Sequence, residues 1–136
     1  MLHALECIAA PLVRHRLFSA TAVHLDVMEV ERLYSTHPGD YPVGGRKKKA
    51  ATRWGELVLM KQRVLVTQGP QELAETFDDH ARMAALGVRS LVNVPVVREG
   101  ACVGVLNFGF DTDTVDAEQV DWAAKFAPLA LGAFQS

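Results

Sequence analysis

Several short constellations in this chain bring together side chains that could do chemistry. Asn93 and Asn107 interrupt two valine-rich runs, SLVNVPVV and ACVGVLNFGF, where an apolar residue would be the simplest occupant. An amide in such a run either faces a ligand or satisfies backbone groups nearby. Arg46-Lys47-Lys48-Lys49, directly after Gly44-Gly45, could present backbone donors and cationic heads to an anion, or stand as a solvated loop. The phosphate-loop spacing Gly-x-x-x-x-Gly-Lys-Ser/Thr is absent. Asp79-His80 invites an acid–base reading, yet sequence neighbours on a helix point apart and form no dyad with each other. His80 then reads as a pocket-rim residue or a polar helix start. Asp111, Asp113 and Asp116 lack the glycine and ligand spacing of a calcium loop, and Asp116 is better explained as a helix cap. The five histidines are too scattered for a metal set. Two cysteines, Cys7 and Cys102, make neither a disulfide framework nor a zinc site and read as small buried hydrophobes.

The elements that must position these groups follow from periodicity. Leu2, Leu5, Ile8, Ala9 and Leu12 predict a helix over residues 2–13, weakened near its end by Pro11. Residues 17–35 predict a hairpin turning around Asp26, and residues 36–50 a long loop. A helix capped by Thr52 carries Trp54, Leu57 and Val58; RVLVT (63–67) follows as a strand, then an irregular piece. Asp78 and Asp79 open a further helix that Gly87 ends. With Glu99-Gly100 as a two-residue turn, Asn93 faces Leu106 and shares a face with Gly104, which leaves a gap beside the amide. Asn107 falls on the opposite face and is expected to tie down a neighbouring loop; a longer turn would reverse this. Asp116 with Gln119 starts the last helix, which Pro128 bends. The order of elements predicts an α+β domain with an antiparallel sheet.

A chain of 136 residues, 49% hydrophobic and 22% charged, has the size and make-up of one globular domain, taken as 1–136. No apolar stretch is long enough to span a bilayer, and the N-terminus does not read as a secretory signal. The expected location is cytoplasmic, without a membrane partner. A net charge of −2 provides no global basic field for nucleic acid, which is discounted as a partner.

Arg32-Leu33-Tyr34-Ser35, Tyr41-Pro42-Val43-Gly44-Gly45-Arg46-Lys47, Thr52 with Trp54, Phe77-Asp78-Asp79-His80, Leu86-Gly87, Asn93-Val94-Pro95-Val96 and Gly104-Val105-Leu106-Asn107 together resemble small bacterial proteins made of a free-standing GAF domain. The resemblance covers nearly the whole chain. It implies a PAS-like fold, an antiparallel sheet of about five to six strands with terminal helices on one face and loops or short helices over the other. Residues 36–89 would form the pocket cover, and Lys47 is the position that the family pattern singles out. Asn107-Phe108 departs from the Asn-Lys pair of cyclic-nucleotide-binding GAF domains. Neither cysteine lies in the motifs of bilin-binding GAF domains or of free methionine sulfoxide reductases, whose cysteine set is one larger.

These readings converge on a non-catalytic small-molecule sensor of unknown ligand and cofactor. Asn93, Trp54, Tyr41, Lys47, Tyr34 and His80 are the candidate ligand-binding residues, with Phe77 a further aromatic wall. The ligand is expected to be small and partly apolar, with a polar or anionic end. The alternatives are a redox enzyme of the free methionine sulfoxide reductase type and a dimerisation module with a vestigial pocket. Two apolar stripes on the last helix, Val120/Ala124/Ala127/Leu131/Phe134 and Trp122/Phe126/Leu129/Ala133, exceed what one sheet face buries and predict a homodimer through the terminal helices.

Overall fold

The computed structural model describes residues 1–134. Leu5, Ala9 and Val13, spaced four apart, are the buried stripe of helix α1 (Leu2–Val13). Pro11 sits on its exposed side, and the helix continues to Val13 before Arg14 closes it in left-handed backbone at φ 59°. Strands β1 (Leu17–His24) and β2 (Glu29–Ser35) form the expected hairpin.

The segment expected as one loop contains a short edge strand, β3 (Arg46–Lys48), paired with β2. A charged edge of this kind resists further strand addition. Thr52 caps the next turn, its hydroxyl accepting from the Gly55 N–H at 3.0 Å. That turn, Gly55–Met60, is π-helical, so the buried set is Trp54, Val58 and Leu59 rather than the stripe through Leu57. Strand β4 (Leu65–Gln68) begins two residues later than RVLVT suggests. The piece expected to be irregular holds helix α2 (Pro70–Thr76), with Gly69 at φ 90° and Pro70 at the first helical position. Helix α3 (His80–Ala85) follows Asp79, and Gly87 at φ 80° ends it as expected. Strands β5 (Ser90–Arg98) and β6 (Ala101–Phe110) lead to α4 (Ala117–Leu129), started by the Asp116–Gln119 capping box. The chain passes Pro128 into a 3-10 turn at Leu131–Ala133.

All neighbouring strands are antiparallel, in the order β3-β2-β1-β6-β5-β4. Two irregularities break the period of two. On β6, Val97 pairs with Cys102 but Val96 with Gly104, so Val103 is an extra residue. On β2, Ala20 pairs with Tyr34 but Thr21 with Arg32, so Leu33 is extra. Each bulge inverts every side chain beyond it. The expected β6 register is therefore corrected: Leu106 and Phe108 face the terminal helices, and Asn107 faces the other side with Asn93.

The helix-side core joins Val92, Val94 and Val96 to Leu106, Phe108, Phe126 and Phe134. The expected gap at Gly104 lies on this side, and the Phe134 ring fills it; a Cβ there would overlap the ring. The premise of surplus stripes on α4 is corrected as well. Gln119, Ala123, Phe126 and Ala127 form its buried face, drawn from neither stripe as a whole, and most other apolar residues of α4 pack against the same core. Leu129 stays 64% exposed. Among the described residues no helix is long and apolar enough to cross a membrane.

Gly104→Ala is expected to lower stability by about 1–3 kcal/mol, because the ring must move. Adding Phe134→Leu should recover part of that loss in urea unfolding, whereas losses that simply add would show that the ring does not occupy the glycine's space.

Candidate functional site

The second face of the sheet carries its own cluster, in which Leu17, Val30, Leu91 and Val105 meet Tyr41, Trp54, Phe77 and Met83 from the covering segments. Between sheet and cover lies a cavity of about 80 Å³. Its floor is the middle of β1, β2, β5 and β6: Ser19, Thr21, Arg32, Asn93 and Asn107 supply the polar groups. Its roof and mouth are Tyr41, Lys47, Lys49, Trp54, Phe77 and Asp79.

Roof and floor are joined by a directed chain of hydrogen bonds. The Trp54 indole Nε1 donates to Asn93 Oδ1 at 3.1 Å. An indole only donates, so the Asn93 amide must present its oxygen to Trp54 and its nitrogen elsewhere. Asn93 Nδ2 donates to Asn107 Oδ1 at 2.7 Å, and Asn107 Nδ2 in turn donates to the Ser19 carbonyl and hydroxyl oxygens at 3.3 and 3.2 Å. The bulge at Val103 makes this possible, because it brings Asn107 directly opposite Asn93.

Strand geometry sorts the basic run. Lys47 lies opposite Val30, whose side chain is in the cavity cluster, and Lys47 and Lys49, two apart, both line the cavity. Arg46 turns to Glu29, with Nε 3.0 Å from Oε1. Gly55 lets the π-helical turn press on the Lys49 carbonyl, and the Lys49 ammonium stacks 5.0 Å from the centre of the Trp54 ring. Burial, and then the neighbouring Lys47 charge, pull the Lys49 pKa down. Lys47 itself reaches Asp79 at 3.8 Å.

Arg32 stacks on the Tyr41 ring at 4.8 Å. Burial works against its charge and the Asp79 carboxylate works for it. Burial pushes the Tyr41 phenol upward, so it stays protonated and available as a donor. Three buried polar atoms of cavity residues, Thr21 Oγ1, Arg32 Nε and Tyr41 OH, find no hydrogen-bond partner among the described residues.

Of the residues singled out from sequence, Asn93, Trp54, Tyr41 and Lys47 meet around this cavity, and Phe77 joins them. Tyr34 and His80 do not. The bulge at Leu33 turns Tyr34 to the helix side, where its hydroxyl meets His3 Nδ1 at 3.1 Å, and His80 is exposed outside the cavity. Sequence reasoning passed over Thr21 and the same-face role of Asn107; Arg32 entered only through the family resemblance, Lys49 only within the basic run, and Asp79 only beside His80 and as a helix start. Arg32 left a signal: it follows Val30 at strand spacing, a lone cation on an apolar face.

Because the two amides belong to one relay, their variants should fail alike. Asn93→Ala and Asn107→Ala are each expected to cost about 1–3 kcal/mol by leaving a buried partner unsatisfied. The double variant should cost clearly less than the sum. Additive losses in a thermal or urea double-mutant cycle would contradict the relay.

The family model described as GAF domain matches residues 8–135. No curated protein matches the sequence. Among solved structures, the GAF domain of a two-component sensor histidine kinase from Bacillus halodurans superposes with a TM-score of 0.75 at 13% identity, over 97% of this chain and 91% of that one. A red/green cyanobacteriochrome in its red-light-absorbing state gives 0.76 at 12%, over 97% and 90%. A type II free methionine-R-sulfoxide reductase from Thermoplasma acidophilum gives 0.65 at 11%, over 96% and 86%. At these identities the solved structures share the fold, while the family match extends over almost the entire sequence. The chain belongs to the GAF domain family.

Proposed function

We propose that this GAF domain is a non-catalytic sensor that binds a small molecule in the cavity between sheet and cover. One observation carries the reading: the cavity wall keeps buried polar atoms without partners among the described residues beside an apolar lining, at a place where the Trp54–Asn93 bond ties cover to sheet. A ligand that completes those bonds would hold the cover down, and the cover is the part of the fold able to report occupancy.

The reductase alternative has less support. Cys102 faces the cavity side of the sheet with its thiol pushed up to about 11 by burial, which leaves little thiolate at neutral pH. Cys7 is exposed on α1, beyond the opposite face. The cysteines therefore do not share a site.

Native mass spectrometry of freshly purified protein should reveal a small molecule released on denaturation. Added back at a hundred times its dissociation constant, it should stabilise the protein by about 2.7 kcal/mol, several degrees of melting temperature. Trp54→Ala should lose that rise. Protein that carries nothing and answers to no fraction of a metabolite extract would contradict the sensor. Thiol-dependent turnover of free methionine sulfoxide, lost on Cys102→Ser, would replace it with the enzyme.

The assembly proposed with this reading is a homodimer. Ile8 on α1 and Leu129 on α4 remain 63% and 64% exposed and give apolar surface for a two-fold contact with a second copy. Light scattering should report a dimer at micromolar concentration that Ile8→Glu with Leu129→Glu dissociates; a monomer at high micromolar wild-type protein would remove it.

A further inference from the structure

The three cavity residues that carry orphaned atoms are neighbours. Thr21 and Arg32 are directly opposed partners on β1 and β2, and the Arg32 guanidinium lies against the Tyr41 ring at 4.8 Å. Arg32 Nε can only donate, a protonated phenol is best used as a donor, and a threonine hydroxyl donates or accepts. Two donors on residues in contact call for two acceptor oxygens.

Charge points the same way. Arg32, Lys47 and Lys49 line the cavity against the single carboxylate of Asp79, which lies nearest Lys47. Among the described residues neither Arg32 nor Lys49 has a salt-bridge partner. The amides at the other end are already engaged with each other, with Trp54 and with Ser19, so the polar end of a ligand finds its open partners at Tyr41 and at Arg32, whose Nη1 reaches the Pro42 carbonyl at 3.5 Å but whose Nε is free among the described residues.

Size sets a limit. A space of about 80 Å³ holds about five to eight water-sized positions, at roughly 10–15 Å³ each. Leu17, Val30, Leu91 and Met83 make part of the wall apolar. A planar guanidinium beside a phenol suits the two coplanar oxygens of a carboxylate.

We propose that the cavity takes a short-chain organic monocarboxylate of about five to eight non-hydrogen atoms, its carboxylate held by Arg32 and Tyr41 and a hydroxyl or keto oxygen meeting Thr21. This rests on the reading of the cavity as a ligand site and narrows it to one class. The bound acid bridges the sheet, through Arg32 and Thr21, to the cover, through Tyr41.

The test uses the full chain, desalted, with propionate, lactate, pyruvate and isovalerate as probes. Propionamide, lactamide and inorganic phosphate at matched ionic strength are the controls, with melting temperature and calorimetry as readouts. At least one carboxylate should raise the melting temperature by several degrees while its amide does not. Arg32→Gln and Tyr41→Phe should each weaken it by at least about tenfold, the loss expected for a hydrogen bond to a charged group. Without ligand, Tyr41→Phe and Thr21→Val should melt at or above the wild type, since each deletes an orphaned hydroxyl; a merely structural role would lower both. An amide that binds as well as its acid, phosphate acting in place of the acids, or wild-type affinity in Arg32→Gln and Tyr41→Phe would overturn the carboxylate. If no acid binds but a neutral molecule does, and Trp54→Ala abolishes it, the class falls and the ligand site stands. If no molecule of any class binds, both fall.

Discussion

Two asparagine side chains, 2.7 Å apart across β5 and β6, carry the buried polar link between the sheet and its cover. Each amide is buried or half-buried, and each would cost free energy if left unpaired. Their mutual bond leaves one oxygen for the Trp54 indole and one nitrogen for Ser19, so a single directed chain runs from cover to β5, β6 and β1. The central hairpin is locked by the same chain. A slip of one residue would bury two unpaired amides and set valines against the cavity, so register and polar satisfaction demand the same structure.

Keeping that pair opposed requires the bulge at Val103, and this was the feature hardest to see beforehand. The Glu99-Gly100 turn and the alternation of Val92, Val94 and Val96 were legible, and β5 faces as they indicate. A bulge costs one residue and leaves no periodic trace when both flanking faces are apolar. Gly104 was the available sign, since an isolated glycine in a strand often marks a bulge, but it equally suits a gap. Tyr34 was misplaced for the same reason, by the bulge at Leu33. The cations at 46–49 hid their strand because alternation cannot show in a run of like residues. Helix α2 hid because it buries only Leu73, and Gly69-Pro70 was its sole mark. What the sequence made plain were long, strongly periodic elements and caps: α1, the first hairpin, Gly87, and the Asp116–Gln119 box.

The two faces of the sheet follow different rules. The helix side is filled to contact, down to the Phe134 ring over Gly104, and tolerates no added atom there. The cavity side carries three of the four buried polar atoms that lack partners among the described residues, a guanidinium and a half-buried ammonium. Such groups lower stability, and they persist where surrounding structure over-determines them and function uses them. Solved structures of a sensor kinase's GAF domain, a cyanobacteriochrome and a sulfoxide reductase share this architecture at 11–13% identity, so the scaffold does not settle the chemistry of any one cavity. That chemistry must be read from Thr21, Arg32, Tyr41 and the amide pair.

The coupling of cover to sheet is measured most directly at the indole protons. Trp54 is buried with its N–H bonded to Asn93, whereas Trp122 is half-exposed on α4 beneath Lys125, and each side chain gives its own indole resonance in a proton–nitrogen spectrum. If the relay closes the cavity, the Trp54 indole proton exchanges with water far more slowly than that of Trp122, and Asn107→Ala, which touches neither ring, removes the difference. Equal exchange of the two indoles in the wild-type protein would contradict the coupling.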